Sequence, residues 1–447
     1  MYYNEYLNLK SDLEKGYKTA KDYEKSLQKL INKIIVDIQK RNIEGDVQKV
    51  ISIIDNVKTI EVPLEIKKRF DNILLNESEI AERKTILKSK ARVLYCVVTT
   101  LCNVKCIMCR IIKNQWELPE HAIDEIVELM PYLENVKWQG GEVFLYKHFE
   151  RLLDEAGKND VSQEIVTNGL LLNERIIKKL VNYNVDLYIS IDGLTKDVYE
   201  SIRVGADFDL LINNLSIMKR IQTDYSNHVM NLGLNVLVMK KNLDQIEFFP
   251  EFAVKYGFRK LCINALGPDF ISDENIFHYN KNKDFEIRIM KIKEQLSKKS
   301  KELNLELFDC LPTFDNIDSV SNNLIKDETE YKTHQNEFGN SVINNEKFGM
   351  KPNNAMLCHI PWQKIFIDSY GIITPECFCD KNNYLGNIAE DKIADIWNGK
   401  IMQEYRNILA GKMCNLKCSK NCINGITHSK SLKDVINPNL FWWSNNL

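Results

Sequence analysis

Apolar positions in the first part of the chain recur with a helical period. One helix face is marked by the apolar residues Leu27, Leu30, Ile31, Ile34 and Ile35. Further apolar series run through 47–54 and 64–75, on either side of Pro63. Spacings of three and four residues are typical of amphipathic helices, and proline commonly interrupts a helix. The pattern therefore predicts a helical N-terminal module over residues 1–88, most simply a cap or docking module.

From residue 91 onwards the pattern changes to short β-branched or aromatic runs that alternate with amphipathic stretches. The candidate strands are Val93–Thr99, Val136–Gln139, Glu164–Thr167, Leu187–Ile191, Leu232–Val238 and Lys260–Asn264. The helical stretches between them include Ala122–Leu129, Glu174–Leu180 and Leu210–Ile221. This alternation predicts an α/β fold with a parallel sheet, either doubly wound or a full or partial barrel. In such sheets, functional residues gather at the C-terminal ends of the strands.

The remaining third of the chain is less regular. A charged helix is predicted over Lys281–Leu303 and a further strand over Leu305–Cys310, whereas the polar stretch Asp315–Gly349 is typical of a long, partly disordered loop. The aromatic tail Asn439–Trp443 is expected to pack back onto the body. The chain is therefore divided into the segments 1–88, 89–270, 271–350, 351–430 and 431–447.

Composition excludes several classes of function. The chain of 447 residues contains 60 Lys and Arg and 62 Asp and Glu, so its formal net charge is −2. Such a balance gives no electrostatic reason to expect nucleic acid or an acidic membrane as a partner. The polar N-terminus lacks the apolar core of a signal peptide, and no apolar run approaches the roughly 18 residues of a membrane span. A cytoplasmic protein is expected.

Cysteine usage changes this ordinary picture. Nine of the 12 cysteines fall within residues 102–109 and 358–422, whereas Cys96, Cys262 and Cys310 lie apart. In a cytoplasmic chain, clustered cysteines indicate metal ligands or catalytic groups rather than disulfides.

The first cysteine cluster follows the first predicted strand with the spacing C-x3-C-x2-C, at Cys102, Cys106 and Cys109. Three thiolates on one short loop can bind three irons of a cubane cluster, which leaves the fourth iron open for a reactant. Zinc is the alternative, although a zinc loop would normally provide a fourth Cys or His nearby. The nearest histidine, His121, is twelve residues further on.

Residues 99–109 (TTLCNVKCIMC) resemble the cluster loop of the radical S-adenosylmethionine (SAM) superfamily. Met108 departs from the aromatic residue that many members have before the third cysteine, but methionine also occurs there in members with auxiliary clusters. Residues 138–142 (WQGGE) resemble the Gly-Gly-Glu element of the same family. A plain glycine turn is the alternative, because glycines allow any close backbone approach. Across residues 91–266 the resemblance implies a partial (β/α)6 TIM-like barrel.

The resemblance also implies which residues contact SAM. They are Gly140, Gly141, Glu142, Asn168, Ser190, Asp192 and Arg203. Carbonyls at the two glycines would accept the SAM amino group, with Glu142 adding negative charge, and Asp192 would lie near the ribose. Ser190 and Arg203 would hold the carboxylate, for which the planar guanidinium is well suited; a surface salt bridge is the alternative for Arg203.

The second cysteine cluster contains Cys358, Cys377, Cys379, Cys414, Cys418 and Cys422. Between them occur residues 361–362 (PW), 367–368 (ID), Gly371, 385–387 (LGN) and 396–397 (IW). In this order they resemble the SPASM or twitch auxiliary-cluster domain, although the interval after Gly371 is one residue longer and the final C-x3-C-x3-C differs. Six cysteines suffice for one 4Fe–4S cluster, whereas two clusters need eight ligands, or seven with one open iron. At least one auxiliary 4Fe–4S cluster is therefore expected, and zinc stays an alternative.

Together these resemblances imply a radical SAM oxidoreductase. A SAM-binding 4Fe–4S cluster would cleave SAM to a 5′-deoxyadenosyl radical, which abstracts hydrogen from a peptide or sugar-like substrate in a maturase, dehydrogenase or epimerase reaction. Flavodoxin or ferredoxin would donate the electron. Cys310 or Cys262 could return a hydrogen atom, but buried cysteines more often act as small hydrophobes. The alternative is a zinc-binding scaffold without catalytic activity.

Overall fold

A computed structural model describes residues 2–109, 115–224, 230–267, 270, 272–279, 282–312, 358–375 and 384–410. The helices are α1 (Tyr2–Glu14), α2 (Ala20–Glu44), α3 (Val47–Val57), α4 (Leu64–Ala81), α5 (Glu120–Leu129), α6 (Phe149–Lys158), α7 (Glu174–Val181), α8 (Lys196–Ile202), α9 (Phe208–Asp224), α10 (Phe249–Lys255), α11 (Ile276–Tyr279), α12 (Lys283–Glu302), α13 (Ile360–Gln363), α14 (Ile393–Trp397) and α15 (Lys400–Ala410). The strands are β1 (Val93–Thr99), β2 (Lys105–Cys106), β3 (Asn135–Gly140), β4 (Ser162–Thr167), β5 (Val185–Ser190), β6 (Arg203–Val204), β7 (Asn231–Val238), β8 (Lys260–Ala265), β9 (Glu306–Cys310), β10 (Lys364–Ile367), β11 (Ile372–Thr374) and β12 (Gly386–Asn387). Short 3-10 helices span Met130–Tyr132, Val143–Leu145 and Lys240–Phe248.

The first four helices form the N-terminal helical module and share a hydrophobic cluster of their own. Leu27, Leu30 and Ile34 on α2 are buried in that cluster, which is the face that the apolar spacing predicts. The hydroxyl of Thr19 accepts a hydrogen bond from the Asp22 amide at the start of α2, and Gly45 ends the helix in the left-handed conformation at φ 74°. Ordinary capping chemistry therefore sets the ends of this long helix.

Within the described residues, the main sheet has ten strands in the order β12-β11-β10-β1-β3-β4-β5-β7-β8-β9. All neighbours from β10 to β9 pair in parallel, and β11 and β12 are antiparallel. Helices lie between the consecutive parallel strands β1, β3, β4, β5, β7 and β8, so these six strands provide the predicted (β/α)6 arrangement. The α/β fold class with a partial TIM-like barrel and a helical N-terminal module is confirmed.

Alternating side chains give the sheet two different faces. On β1, Leu94, Cys96 and Val98 belong to the main hydrophobic core under the helices. The other face is polar: Lys137 on β3 forms an ion pair with Glu164 on β4, and Lys260 on β8 lies 3.3 Å from Asp186 on β5. Buried charges tolerate such surroundings because they are paired with each other.

The sheet continues beyond the six predicted core strands on both sides. Strand β9 pairs with β8, and β10 pairs with β1 through the register Val93↔Lys364 to Cys96↔Ile367. Segments 271–350 and 351–430 were predicted to be separate from the barrel, but both contribute strands to the same sheet. The boundaries of the five segments stay a prediction. The predicted loop 315–349 and the aromatic tail 439–443 lie outside the described residues.

The motif tryptophans of segment 351–430 hold the connection between α4 and β1. The indole nitrogen of Trp362 donates to the Lys84 carbonyl over 2.7 Å, and that of Trp397 donates to the Ser89 carbonyl over 2.8 Å. Both side chains are buried. The residues that resemble the SPASM pattern therefore fasten this segment to the barrel. None of the described helices is long and apolar enough to cross a membrane.

Candidate active site

The first cysteine cluster lies directly after β1, at the C-terminal edge of the sheet. Strand β2 contains Cys106 and forms a two-stranded antiparallel ribbon with β6, with Cys106 opposite Arg203. The ribbon is extended by a hydrogen bond from the Ile107 amide to the Ile202 carbonyl over 3.0 Å, and the Cys109 amide donates to the Cys106 carbonyl over 3.1 Å. The backbone thus holds the cysteine loop against the segment that follows α8.

The two glycines after β3 allow this edge to pack closely against β1. The Gly141 amide donates to the Thr99 carbonyl and the Glu142 amide to the Leu101 carbonyl, both over 2.8 Å. A Cβ atom at Gly140 would lie 2.2 Å from the Thr99 oxygen, and one at Gly141 would lie 2.1 Å from the Leu101 oxygen. In the described structure the two glycines therefore allow the backbone after β3 to lie directly against the backbone at the end of β1. Their predicted contact with SAM stays a prediction.

Glu142 is fully buried and connects the ends of two strands. Its carboxylate accepts hydrogen bonds from the Thr167 hydroxyl and the Asn168 amide, both over 2.8 Å. Burial raises the pKa of Glu142, and the hydrogen bonds from Asn168 and Thr167 oppose this rise. The carboxylate braces β3 against β4, in addition to any contact with a bound cofactor.

Asn168 connects that brace to the cysteine loop. Its side-chain nitrogen lies 3.9 Å from Cys102 Sγ and donates to the Asn103 side-chain oxygen over 2.8 Å. Its side-chain oxygen accepts from the Leu170 amide over 2.9 Å, which fixes the orientation of the amide group. Asn103 was not among the predicted site residues, although a polar residue beside the first cysteine is a recognisable signal.

Arg203 is buried between a carboxylate and a cysteine. Its Nη2 lies 2.6 Å from Asp192 Oδ2, and its Nη1 lies 3.7 Å from Cys106 Sγ. Asp192 is itself held by the Leu237 amide, which donates to Oδ1 over 2.8 Å. The pair is therefore a buried ion pair beside the cysteine loop and not the surface salt bridge that was the alternative for Arg203. Ser190, half-buried, ends β5 two residues before Asp192.

An apolar cluster that the sequence analysis missed adjoins the same loop. It contains Met108, Ile202, Met239 and Leu266, with Cys106 packed against it. Met239 and Leu266 directly follow β7 and β8, so they lie at the same edge of the sheet as the cysteines. Apolar residues immediately after a strand were the available signal. Their side chains exclude water from one side of Cys106.

The donor set fits an iron–sulfur cluster. Cys102, Cys106 and Cys109 lie on one loop, and N–H groups of Asn168 and Arg203 face two of the three sulfur atoms. Among the described residues, no three His, Cys, Asp or Glu side chains converge on one point that could hold a single ion. Thiolates of a cubane bind different irons and need not converge in this way. N–H groups aimed at ligand sulfurs are typical of the outer shell of such clusters.

The pKa values of these thiols follow from their surroundings. Burial raises the pKa of the Cys106 thiol to about 11, and the Arg203 guanidinium opposes this rise. Burial also raises the pKa of the Cys102 thiol. Without a metal, both groups are therefore protonated at neutral pH, and binding of iron must displace their protons. The buried guanidinium favours the thiolate form that a metal requires.

The two candidate hydrogen donors lie on the neighbouring strands β8 and β9. Cys262 is opposite Phe308 in the register and Cys310 is opposite Asn264, so both cysteines project from the same face of the sheet. Burial raises the pKa of Cys262 to about 12 and also raises that of Cys310. Both stay thiols at neutral pH, which is the form that can give up a hydrogen atom. Their catalytic role stays a prediction.

The second cysteine cluster is described only at its first member. Cys358 is partly buried and packs against the main core just before α13. Gly371, at φ 76°, forms the turn between β10 and β11, as its place in the motif predicts. The other five cysteines, at positions 377, 379, 414, 418 and 422, lie outside the described residues. Their role as cluster ligands stays a prediction.

Comparison with family models agrees with this geometry. Residues 96–245 match the model of the radical SAM superfamily, and residues 358–423 match that of the SPASM iron–sulfur cluster-binding domain. The first match contains all three cysteines of the loop together with Glu142, Asp192 and Arg203. The two matches imply SAM and 4Fe–4S clusters as cofactors.

Several curated relatives match part of the chain. The mycofactocin maturase MftC of Mycolicibacterium smegmatis is 27% identical over 38% of this chain and 43% of that protein. The tungsten-containing aldehyde ferredoxin oxidoreductase cofactor-modifying protein of Pyrococcus furiosus is 26% identical over 39% of this chain and 51% of that protein. An uncharacterized protein of Methanocaldococcus jannaschii is 26% identical over 38% of this chain and 61% of that protein. The chain thus spans less than two thirds of these relatives.

Among solved structures, the fold is similar to that of SuiB from Streptococcus suis. That crystal structure superimposes with a TM-score of 0.52 at 16% sequence identity, and the match covers 81% of this chain and 77% of SuiB. The likeness extends well beyond the region of sequence similarity and supports the same fold.

Proposed function

Because the chain is a radical SAM enzyme with a SPASM domain, we propose that it is a maturase that cleaves SAM reductively and abstracts a hydrogen atom from a peptide. One observation supports this most strongly. Cys102, Cys106 and Cys109 are fixed at the C-terminal edge of a parallel partial barrel, and N–H groups of Asn168 and Arg203 face two of their sulfur atoms. Functional sites of barrels of this kind lie at that edge.

The loop cysteines would hold a 4Fe–4S cluster with one open iron. When bound, the cluster supplies the electron that splits SAM into methionine and a 5′-deoxyadenosyl radical. The protein supplies orientation and protection from water. The glycines at 140 and 141 keep the loop close to β1 and β3, Glu142 and Asn168 fix its first cysteine, and the apolar cluster of Met108, Ile202, Met239 and Leu266 shields the second.

A peptide substrate is supported by the relatives. MftC is named a mycofactocin maturase, and one SuiB structure contains the precursor peptide SuiA. The polar inner face of the sheet, with its paired charges, suits a polar substrate such as a peptide. A sugar-like small molecule is the second candidate, and the same polar face would accept it. Flavodoxin or ferredoxin would provide the electron.

We propose that Cys358 and other cysteines of the second cluster bind at least one auxiliary 4Fe–4S cluster. The segment that follows Cys358 contains β10, which pairs with β1, the strand that leads into the cysteine loop. A cluster held there would lie on an element that is directly joined to the barrel. Its expected role is to accept an electron from a substrate radical or to bind the substrate.

Anaerobic reconstitution followed by iron, sulfide and zinc analysis tests the proposal. The wild-type chain is expected to bind about eight irons and to form 5′-deoxyadenosine with dithionite and SAM. Cys106→Ala should lose about four irons and all SAM cleavage, because one corner of the cluster has no ligand. Cys96→Ala is the matched control, since Cys96 is buried on the core face of β1 and should keep both properties.

Other outcomes would contradict the proposal in different ways. Bound zinc with no 5′-deoxyadenosine would support the zinc-binding scaffold instead. Four irons with normal cleavage would restrict the second cysteine cluster to a structural role. The substrate class can be tested with deuterated peptides and deuterated sugars, since deuterium appears in 5′-deoxyadenosine only when the correct substrate is present.

A further inference from the structure

Arg203 is placed in an unusual position for a residue whose resemblance implies a role in binding the SAM carboxylate. One terminal nitrogen of its guanidinium is occupied by Asp192 at 2.6 Å, and the other faces Cys106 Sγ at 3.7 Å. The arginine side chain is 8% exposed and the aspartate side chain 1% exposed. Each terminal nitrogen therefore has one contact within the protein, whereas Nε has no hydrogen-bond partner among the described residues.

We infer that Arg203 is a positioning residue that donates an N–H···S hydrogen bond to the Cys106 ligand of the SAM-binding cluster and thereby raises the reduction potential of that cluster. The inference rests on the proposed function, because it requires a cluster on Cys106. It assigns one terminal nitrogen of the guanidinium to a ligand of the cluster, a role separate from the contact with the SAM carboxylate that the resemblance implies.

The backbone fixes the distance between the two groups. Cys106 and Arg203 are paired residues of the β2–β6 ribbon, so their Cα atoms are held opposite each other by main-chain hydrogen bonds. The Ile107 amide extends the same ribbon to Ile202. Side chains of paired residues in an antiparallel ribbon project from the same face. The strand pairing of β2 with β6 therefore brings the guanidinium of Arg203 next to the sulfur of Cys106.

Asp192 holds the other end of the guanidinium in a fixed orientation. Its Oδ1 accepts from the Leu237 amide over 2.8 Å, and its backbone carbonyl accepts from the side chain of Asn242 over 2.8 Å. The carboxylate is therefore attached to β7, and the Asp192 backbone is attached to the segment after β7. Arg203 cannot leave Cys106 without disturbing its buried pairing with Asp192. A buried charge that loses its partner is strongly unfavourable.

Charge accounts for the expected direction of the effect. Reduction adds one negative charge to a cluster, and a nearby cation or N–H donor stabilises the more negative state. Hydrogen bonds from a charged donor are stronger than those between neutral groups. Removing the donor should therefore make the cluster harder to reduce, and the effect should be present in the absence of SAM.

The test is an EPR-monitored redox titration of reconstituted enzyme without SAM. In Arg203→Met combined with Asp192→Asn, which leaves no unpaired charge, the ratio of reduced to oxidised cluster at a fixed potential should fall about tenfold, or about 59 mV for one electron. Arg203→Lys keeps the charge but not the planar fork, and should shift the potential in the same direction by less. Arg92→Lys, a buried arginine at the opposite end of the sheet, should leave the potential unchanged.

The outcomes separate this inference from the proposed function. If the wild-type enzyme binds no cluster and cleaves no SAM, the proposed function is wrong. If it does both and the Arg203 variants share its potential, only the inference is overturned. An unchanged potential with weaker binding of SAM to Arg203→Lys would assign the guanidinium to the SAM carboxylate instead.

Discussion

Arg92 and Arg203 lie at opposite ends of the central sheet, and both are almost completely buried. Arg92 directly precedes β1, where it contacts Glu77 of α4 at 2.5 Å and also pairs with Glu134. In the part of the chain that the structure describes, Arg203 pairs with one carboxylate, that of Asp192. The Nε atom of Arg92 is occupied by Glu134, but that of Arg203 has no hydrogen-bond partner among the described residues. The two arginines therefore differ in how many of their guanidinium N–H groups have hydrogen-bond partners in the described structure.

This difference separates a structural from a functional buried charge. Two carboxylates surround Arg92, so the network joins the N-terminal helices, β1 and the segment before β3 without needing another ligand. One end of Arg203 instead faces a cysteine thiol, which becomes a full charge partner only as a thiolate. A buried guanidinium whose second partner is a thiol indicates a site that metal binding completes.

Replacement of Arg92 by methionine should have the largest effect on stability. The change leaves the buried carboxylates of Glu77 and Glu134 without their counter-ion, which should cost about 3–5 kcal/mol. Urea denaturation of the reconstituted enzyme measures the loss. Restoring stability in the triple variant with Glu77→Gln and Glu134→Gln would confirm unpaired charge as the cause. An altered cluster potential in Arg92→Met would contradict the separation of the two ends.

The Arg92 network also shows where sequence patterns are insufficient. Glu77 is on α4, fifteen residues before Arg92, and Glu134 follows it by forty-two residues. Charged residues within an amphipathic helix are ordinarily on its exposed face. Glu77 is nevertheless fully buried, because Asn42 of α2 and Arg92 both bind its carboxylate. Only the tertiary structure brings these groups together, so spacing alone could not identify them.

Strand prediction succeeded for a local reason. Strand β1 spans Val93–Thr99 as its β-branched run predicts, and β8 begins at Lys260 as expected. Each run is bounded by helical periodicity or by a turn residue, so the local pattern contains both ends. The pairing of β10 with β1 was not predicted, because a parallel pairing between residues 93 and 364 depends on how the whole barrel closes.

Gly141→Ala should have the second-largest effect and should act at the functional end of the sheet. The added Cβ would lie 2.1 Å from the Leu101 carbonyl oxygen, so the backbone before Cys102 must move. Overpacking of this kind costs about 1–3 kcal/mol, and we expect reduced iron binding as well. Iron analysis and thermal unfolding provide the two measurements.

Gly16→Ala provides the control for Gly141→Ala. Gly16 has φ 72° but no atom within 4 Å of a built Cβ. The Gly16→Ala variant should lose about 1 kcal/mol of unfolding free energy, because alanine disfavours a positive φ, and should bind the same amount of iron as the wild type. Normal iron binding in Gly141→Ala would show that the close approach of β3 to β1 is not needed to hold the cysteine loop.

The sequence predicted those parts of the candidate site whose residues lie close together along the chain. The cysteines at 102, 106 and 109 and the glycines at 140 and 141 are recognisable from spacing within one short segment. The contact between Arg203 and Cys106 depends on β2 and β6, which have two residues each and are too short to produce a pattern. The resemblance found Arg203 as a functional residue, and the structure adds the sulfur that it faces.

Arg175 extends the comparison to an exposed arginine and should show the smallest effect. It contacts Glu150 through two nitrogens, at 2.5 and 2.8 Å, but its side chain is 63% exposed. Hydrogen bonds from Arg175 and Lys179 lower the pKa of Glu150 to about 2. Because the folded-state pKa is depressed, the pair stabilises the fold above the ordinary carboxyl pKa of 4.5 and loses this effect as the pH falls towards 2.

Solvent screening limits the contribution of this pair, so Arg175→Gln should lower the stability at neutral pH far less than Arg92→Met does, and the loss should shrink as the pH approaches about 3. Urea denaturation at both pH values measures it, with Arg220→Gln, another exposed arginine, as the control. A loss comparable to that of Arg92→Met would mean that the number of carboxylate contacts, and not burial, determines what an arginine contributes. A small loss of stability in Arg175→Gln would mean that burial distinguishes Arg92 and Arg203 from the surface arginines. Arg92 and Arg203 would then differ from each other in their second partner, which is a carboxylate for Arg92 and a cysteine sulfur for Arg203.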